Sequence, residues 1–156
     1  MSSLRPVSGS AAEIASLLAA WDRAPDPAPL VVETSGSSGR AKQVMLSRAA
    51  LRASVAATHQ RLGGPGQWVL TVPPTDDAGV QVLFRGVRAG IDPVLVAGIG
   101  DLADVSTSRQ RTYVSLVPTQ LHRCLADPRL ATALAGFAAV LVGGGPARPD
   151  DLAAAA

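Results

Sequence analysis

The run Thr34-Ser35-Gly36-Ser37-Ser38-Gly39-Arg40-Ala41-Lys42 holds the residue types of a phosphate grip. Gly36 and Gly39 allow backbone conformations closed to other residues and let the main chain approach a ligand. The Ser/Thr hydroxyls and successive N–H groups can converge on phosphate oxygens. Lys42 adds a mobile positive charge. A triphosphate that loses pyrophosphate builds negative charge on its leaving group, and donors of this kind stabilise it. The spacing is not that of a kinase or GTPase loop, which needs Gly, four residues, then Gly-Lys-Ser/Thr. Here only Ser37 and Ser38 separate the glycines, and Ala41 precedes the lysine.

The elements that must hold this loop are legible around it. Leu30–Thr34 is an apolar, β-branched strand that runs straight into the loop. Gln43-Val44-Met45-Leu46 reads as a second short strand, and Ser47 as the N-cap of the next helix. The holder is therefore strand–loop–strand, lying over the phosphates. A plain solvated Gly/Ser turn would require neither Lys42 nor the paired flanks.

Upstream, residues 1–9 read as irregular. Ile14, Leu17, Leu18 and Trp21 fall at helical spacing after Ser10, a candidate N-cap, and the Pro-rich stretch Ala24–Pro29 ends that helix. Residues 1–29 are thus a helix and linker, and 30–156 the main body. Downstream, apolar runs at Trp68–Val72, Pro93–Ala97, Tyr113–Val117 and Ala138–Val142 alternate with helical stretches at Ser47–Leu62, Gly79–Ala89, Thr119–Leu125 and Asp127–Leu134, with another helix starting near Pro149. The expected fold is α/β, a mostly parallel sheet flanked by helices.

Composition narrows the function classes. Fourteen basic residues against twelve acidic ones, with no Lys/Arg block, speak against nucleic acid as a partner. The single cysteine, Cys124, builds no disulfide within the chain and joins no zinc-type cluster, so a reducing, cytoplasmic setting is expected. No apolar run is long enough to span a bilayer. His59 and His122 read as surface or helix-end residues. No metal ligand set and no catalytic residue is assigned.

The run Thr34–Val44 resembles the phosphate-loop signature of the adenylate-forming superfamily: Thr/Ser-Ser-Gly-Thr/Ser-Thr/Ser-Gly-x-Pro-Lys-Gly-Val. It matches at Thr34, Ser35, Gly36, Ser37, Ser38, Gly39, Lys42 and Val44, and departs at Ala41 and Gln43. The resemblance implies that Thr34 to Gly39 and Lys42 bind ATP phosphates. Val140–Ala147 resembles the family's Gly-Gly-Ala-Pro segment, which implies adenine contact by Gly143, Gly144, Gly145 and Pro146. Tyr113–Leu121 resembles the family's strand-to-helix segment and looks most like the actinobacterial o-succinylbenzoate–CoA ligases. Val72–Arg85 is similar to the Leu-Pro-x-x-His-Ile-Ala-Gly segment. Gly79 and Arg85 fit, while Asp76 stands at the histidine position.

From these matches the resemblance implies an acyl and coenzyme A region near Asp76, Gly79, Arg85 and Thr119. Asp76 and Asp77 read as helix-capping acids in preference to a catalytic pair. Arg85 reads as an exposed, salt-bridging side chain, with contact to an acyl carboxylate as the alternative.

The resemblance covers about Leu30 to Ala156 and implies part of the large N-terminal domain of an adenylate-forming enzyme. The implied ligands are ATP, Mg2+, coenzyme A and a small carboxylic acid. The family's later Tyr-Gly-x-Thr-Glu and Thr-Gly-Asp runs are absent from these 156 residues. A fragment, inactive alone and prone to self-association through an apolar face, is the corresponding expectation. Another acyl-CoA ligase, an adenylation domain or a non-catalytic nucleotide-binding remnant are the alternatives.

Overall fold

A computed structural model describes residues 7–34, 42–107 and 110–156. Helix α1 spans Ala11–Arg23. Strands β1 (Leu30–Thr34) and β2 (Lys42–Leu46) follow, then α2 (Arg48–Leu62), β3 (Gln67–Leu70) and α3 (Asp77–Ala89). Next come β4 (Val94–Leu95), a 3-10 helix (Ile99–Asp104) and β5 (Thr112–Leu116). Helices α4 (Pro118–Ala126) and α5 (Pro128–Ala135), strand β6 (Ala139–Val142) and helix α6 (Pro149–Ala155) complete the order.

Four strands form a parallel sheet in the order β4-β3-β5-β6. Alternation along the strands splits the core in two. Trp68 and Leu70 of β3 and Tyr113 of β5 face one layer, where they meet Ile14, Leu18, Leu51, Val80 and Phe84 from α1, α2 and α3. Val69, Val114 and Leu116 point the other way, onto Leu102, Leu121, Cys124, Leu130 and Leu134 from the 3-10 helix, α4 and α5. This is the helix-covered parallel sheet expected from the near-continuous apolar runs. The runs were longer than the strands they became: β4 keeps only Val94 and Leu95 of Pro93–Ala97, since Pro93 has no N–H to give to a ladder.

The hairpin is a separate two-stranded sheet, antiparallel, with Thr34 opposite Lys42. It is tied to the sheet's body by a bridge between Glu33 and Asp76, immediately before α3. The first three residues of β1 are buried, whereas β2 is mostly exposed, Met45 to 67%.

Capping chemistry explains the helix starts. Ser10 closes a capping box with Glu13, and Ser47 accepts from Ala50 N–H at 3.2 Å. Asp127 caps α5 through Arg129 and Leu130 N–H groups. On α1 the apolar stripe is narrower than expected. Leu17 is 43% exposed, and the buried residue of the last turn is Asp22.

Asp22 locks α1 to its neighbours, bonding Arg52 of α2 at 2.7 Å and Arg88 of α3 at 2.9 Å. Burial pushes its carboxyl up, but the hydrogen bonds and charges of Arg52 and Arg88 outweigh this and hold it below its ordinary value. A lowered folded value stabilises above the unfolded pKa of about 3.9 and loses that stabilisation as pH falls through the folded value. Asp22→Asn should therefore cost about 2 kcal/mol at pH 7 and much less at pH 3. Urea denaturation at both pH values reads the difference. An equal cost at both would refute the ionic account.

Candidate functional site

At the C-terminal ends of β3, β5 and β6 lies a cleft of about 310 Å³. Crevices at this end of a parallel sheet are where α/β folds bind ligands. One wall is α3, which presents Asp77, Gln81 and Arg85, with Ala78 beside them. The floor is Ser115, Leu116 and Val117 at the end of β5. The far wall is Leu141 and Val142 of β6 with the backbone of Gly143 and Gly144.

The strand ends are fixed by polar side chains. Thr71 Oγ1 donates to Ser115 O at 2.5 Å, and Gln120 Nε2 donates to Thr71 O at 3.0 Å. Gln120 Oε1 also accepts from Val117 N–H at 2.9 Å, at the start of α4. Gly143 N–H donates to Leu116 O at 3.1 Å, and Gly144 takes a φ of 85°. That left-handed turn suits glycine and leaves the Gly143–Gly144 part of the far wall without side chains.

Arg85 differs most from its sequence reading. It is only 8% exposed, so it is not a solvated salt-bridging residue. Its guanidinium lies 4.6 Å from the centre of the Trp68 ring, an attraction that strengthens when desolvated. Burial pushes its pKa below the ordinary value, and the charge of Asp77 opposes that. Arg85 Nε and Asp77 Oδ1 are buried without a hydrogen-bond partner among the described residues. So are Trp68 Nε1 and His59 Nε2. His59 does lie in the last turn of α2, but this nitrogen is enclosed. Burial first, then the charge of Arg85, hold its imidazole below the usual range.

The structure brings some sequence-derived candidates together and not others. Thr34 and Lys42 face each other across the hairpin, with Thr34 Oγ1 donating to Lys42 O at 3.3 Å. Ser35, Gly36, Ser37, Ser38 and Gly39 lie outside the described residues. Through the Glu33–Asp76 bridge, the hairpin sits next to the residue that precedes Asp77. Gly143 and Gly144 line the cleft, while Gly145, Pro146 and Thr119 are exposed and do not. Asp76 is the N-cap residue of α3 without a side-chain cap bond. Gly79 faces backbone, since a Cβ there would stand 2.0 Å from Pro73 O.

Asp77, Gln81, Thr71, Ser115 and Gln120 were missed as site residues. A signal for the first two was present: Asp77, Gln81 and Arg85 are spaced i, i+4, i+8 in a helix whose only other charged or polar side chain is Arg88. Among the described residues no three His, Cys, Asp or Glu side chains gather to hold a cation. The magnesium expected with ATP therefore meets no carboxylate or imidazole cage among the described residues.

Family comparison fits this geometry. Residues 10–156 match the model of the family described as AMP-binding enzyme. The chain belongs to the AMP-binding enzyme family. A probable 2-succinylbenzoate–CoA ligase of Mycobacterium tuberculosis is 48% identical over 139 residues, covering 84% of this chain and 36% of that relative. A 2-succinylbenzoate–CoA ligase of Enterococcus faecalis is 30% identical over 128 residues, covering 79% and 26%. A solved malonyl-CoA ligase, with methylmalonyl-CoA and AMP bound, superposes with a TM-score of 0.68 at 27% identity, over 81% of this chain and 29% of its own. The o-succinylbenzoate coenzyme A synthetase of Bacillus subtilis, in complex with AMP, gives 0.63 at 26%, over 80% and 26%.

The chain thus spans about a third, or less, of the curated 2-succinylbenzoate–CoA ligases it matches. Its α/β layers are those of the AMP-binding enzymes' N-terminal domains. No helix among the described residues is long and apolar enough to cross a membrane.

Proposed function

We propose that this AMP-binding family member is the nucleotide- and acid-binding part of an ATP-dependent acid–CoA ligase, and that its acid is o-succinylbenzoate. The observation that carries the reading is the cleft itself. One wall bears the buried cation Arg85, the opposite wall ends in the bare Gly143–Gly144 backbone, and the Thr34–Lys42 hairpin stands beside it.

In this reading the adenine slides against Gly143 and Gly144, with Gly145 and Pro146 continuing that edge. Thr34 to Gly39 and Lys42 hold the β- and γ-phosphates. The succinyl carboxylate attacks the α-phosphorus, a phosphorus–oxygen bond to the acid forms, and the bond to pyrophosphate breaks. The leaving pyrophosphate takes the electron pair, and Lys42 offsets the charge that grows there. Coenzyme A thiol then attacks the acyl carbon of the adenylate and AMP departs. Asp76, Gly79 and Thr119 belong to the acyl and coenzyme A region, Gly79 by letting α3 start close against Pro73. The setting is cytoplasmic, and the chain associates with copies of itself. The 156 residues alone are not expected to turn over.

Arg85 binds the ring carboxyl of the acid. A charge-assisted hydrogen bond of this kind supports a ten- to hundredfold effect, at about 1.5–3 kcal/mol. In the intact enzyme, Arg85→Leu should raise the KM for o-succinylbenzoate by about that factor and leave the KM for ATP within about twofold. Equal loss for both substrates would point to misfolding of α3. Mass-spectrometric detection of o-succinylbenzoyl-CoA, formed only with ATP and coenzyme A both present, tests the proposed reaction. Its absence at any acid concentration would remove the substrate assignment.

A further inference from the structure

The β3–β5 ladder stops short of the cleft. Its register ends with Val69 opposite Val114. On the other side β5 stays paired with β6 as far as Leu116 and Val142, and Gly143 N–H to Leu116 O at 3.1 Å extends that ladder. Past Val69, two side chains join the parting strands. Thr71 Oγ1 donates to Ser115 O at 2.5 Å, and Gln120 Nε2 donates to Thr71 O at 3.0 Å. Gln120 Oε1 accepts from Val117 N–H at 2.9 Å, which is half of a capping box at the third position of α4. The carboxamide thus uses a donor and an acceptor on two different elements. Ser115 and Val117 are cleft floor, and Val72, next to Thr71, lines the cleft as well. From Thr71 the chain passes to Pro73, against which α3 packs so closely at Gly79 that a Cβ would stand 2.0 Å from Pro73 O. Asp76 N–H also donates to Pro73 O, at 3.2 Å. What holds Thr71 therefore holds the start of the wall that carries Arg85.

We propose that Gln120 is a positioning residue for the acid side of the cleft. This rests on the reading of Arg85 as the group that meets the acid. Gln120 stands in for the missing β3–β5 rungs and sets the α3 wall at its distance from the β5 floor. The nucleotide side does not depend on that rung, because Gly143 continues the β5–β6 ladder. Capping α4 alone requires only the Oε1 acceptor, which glutamate supplies equally at this position. The Nε2 donor serves the cleft. Without it the part-buried Thr71 carbonyl loses its partner, and the wall is correctly placed for only a fraction of the time. Apparent acid affinity falls by that fraction, while an acid once bound still reacts in the right geometry.

Steady-state kinetics and melting curves of the intact enzyme test this, with o-succinylbenzoate and ATP as the varied substrates. Gln120→Glu keeps the cap and loses the donor. It should melt as the native enzyme does and raise the KM for o-succinylbenzoate about tenfold, with kcat and the KM for ATP staying within about twofold. Thr71→Val removes the bond to Ser115 and should raise the same KM. Thr71→Ser, which keeps the hydroxyl, should stay near the native value. That pair carries the test should Gln120→Glu fold poorly. Native KM values in both Gln120→Glu and Thr71→Val, or an equal rise for acid and ATP, overturn the positioning role. An enzyme that forms no o-succinylbenzoyl-CoA before any substitution removes the ligase reading and this inference together. Native turnover with unmoved KM values in the variants removes the inference alone.

Discussion

Replacing Lys42 by alanine in the intact enzyme should lower kcat/KM for ATP by about a hundredfold. The magnitude follows from the loss of a single donor aimed at charge that develops in a transition state, worth about 10²–10³ in rate. Lys42 opens β2, opposite Thr34, so its main chain is fixed by the hairpin while its side chain is free to reach a phosphate. It is exposed and lends nothing to the core, so the folded chain should melt as before. In the proposed reaction its contact strengthens as pyrophosphate departs, so kcat should fall more than ATP affinity does. Lys42→Arg, which keeps the charge, should recover most of the rate. Steady-state rates of adenylate formation for both variants, with melting curves as control, check this. A Lys42→Ala enzyme at native rate would remove the loop from the mechanism.

Gly79→Ala should be the most damaging single methyl group in the described structure. A Cβ at this position would stand 2.0 Å from Pro73 O and 2.8 Å from Pro74 Cα. Neither is the end of a flexible side chain, so backbone must move. Overpacking of this kind costs about 3 kcal/mol, and the displaced segment is the first turn of α3, which carries Asp77 and Ala78 into the cleft. Stability and acid affinity should therefore fall together. Gly100→Ala is the matched control: nothing stands within 4 Å of a Cβ there, so the change should stay within about 0.5 kcal/mol. Chemical denaturation of the two variants makes the comparison. Equal small effects would mean that the turn after Val72 gives way freely.

Legibility in the sequence followed the range of the forces. Local signals carried the elements: Ser10 and Ser47 as caps, and the apolar runs of β1, β3, β5 and β6 as strands. The hairpin was legible because two β-rich runs flank one Gly/Ser stretch. Burial of charged residues was not. Asp22 lies on the inward face of α1 because Arg52 and Arg88 reach it from elements far along the chain. Arg85 is buried because the Trp68 ring lies beneath it, and sequence spacing between β3 and α3 cannot show that stacking. The 3-10 helix at Ile99–Asp104 also went unread, since six residues with one buried leucine leave no periodic signal.

The candidate site shows the same division. Gly143 and Gly144 were found through a glycine run that resembles a known segment, and both line the cleft. Thr119 came from the same kind of resemblance but points to solvent at the start of α4, while its neighbour Gln120 ties β3 to β5. Side chains that hold a site together act through distant partners, and short motifs do not encode those partners. The stripe of Asp77, Gln81 and Arg85 was readable, but only to an eye looking for polar residues where the helix should be apolar.

In the function proposed above, this cleft and hairpin serve an enzyme that activates a carboxylic acid by adenylation. Exchange of labelled pyrophosphate into ATP by the intact enzyme measures that half-reaction alone, without coenzyme A. Label should enter ATP only when o-succinylbenzoate is present, with a loss of about a hundredfold in Lys42→Ala. Exchange that needs no acid, or ATP cleaved to ADP and phosphate with no exchange at all, would contradict that function.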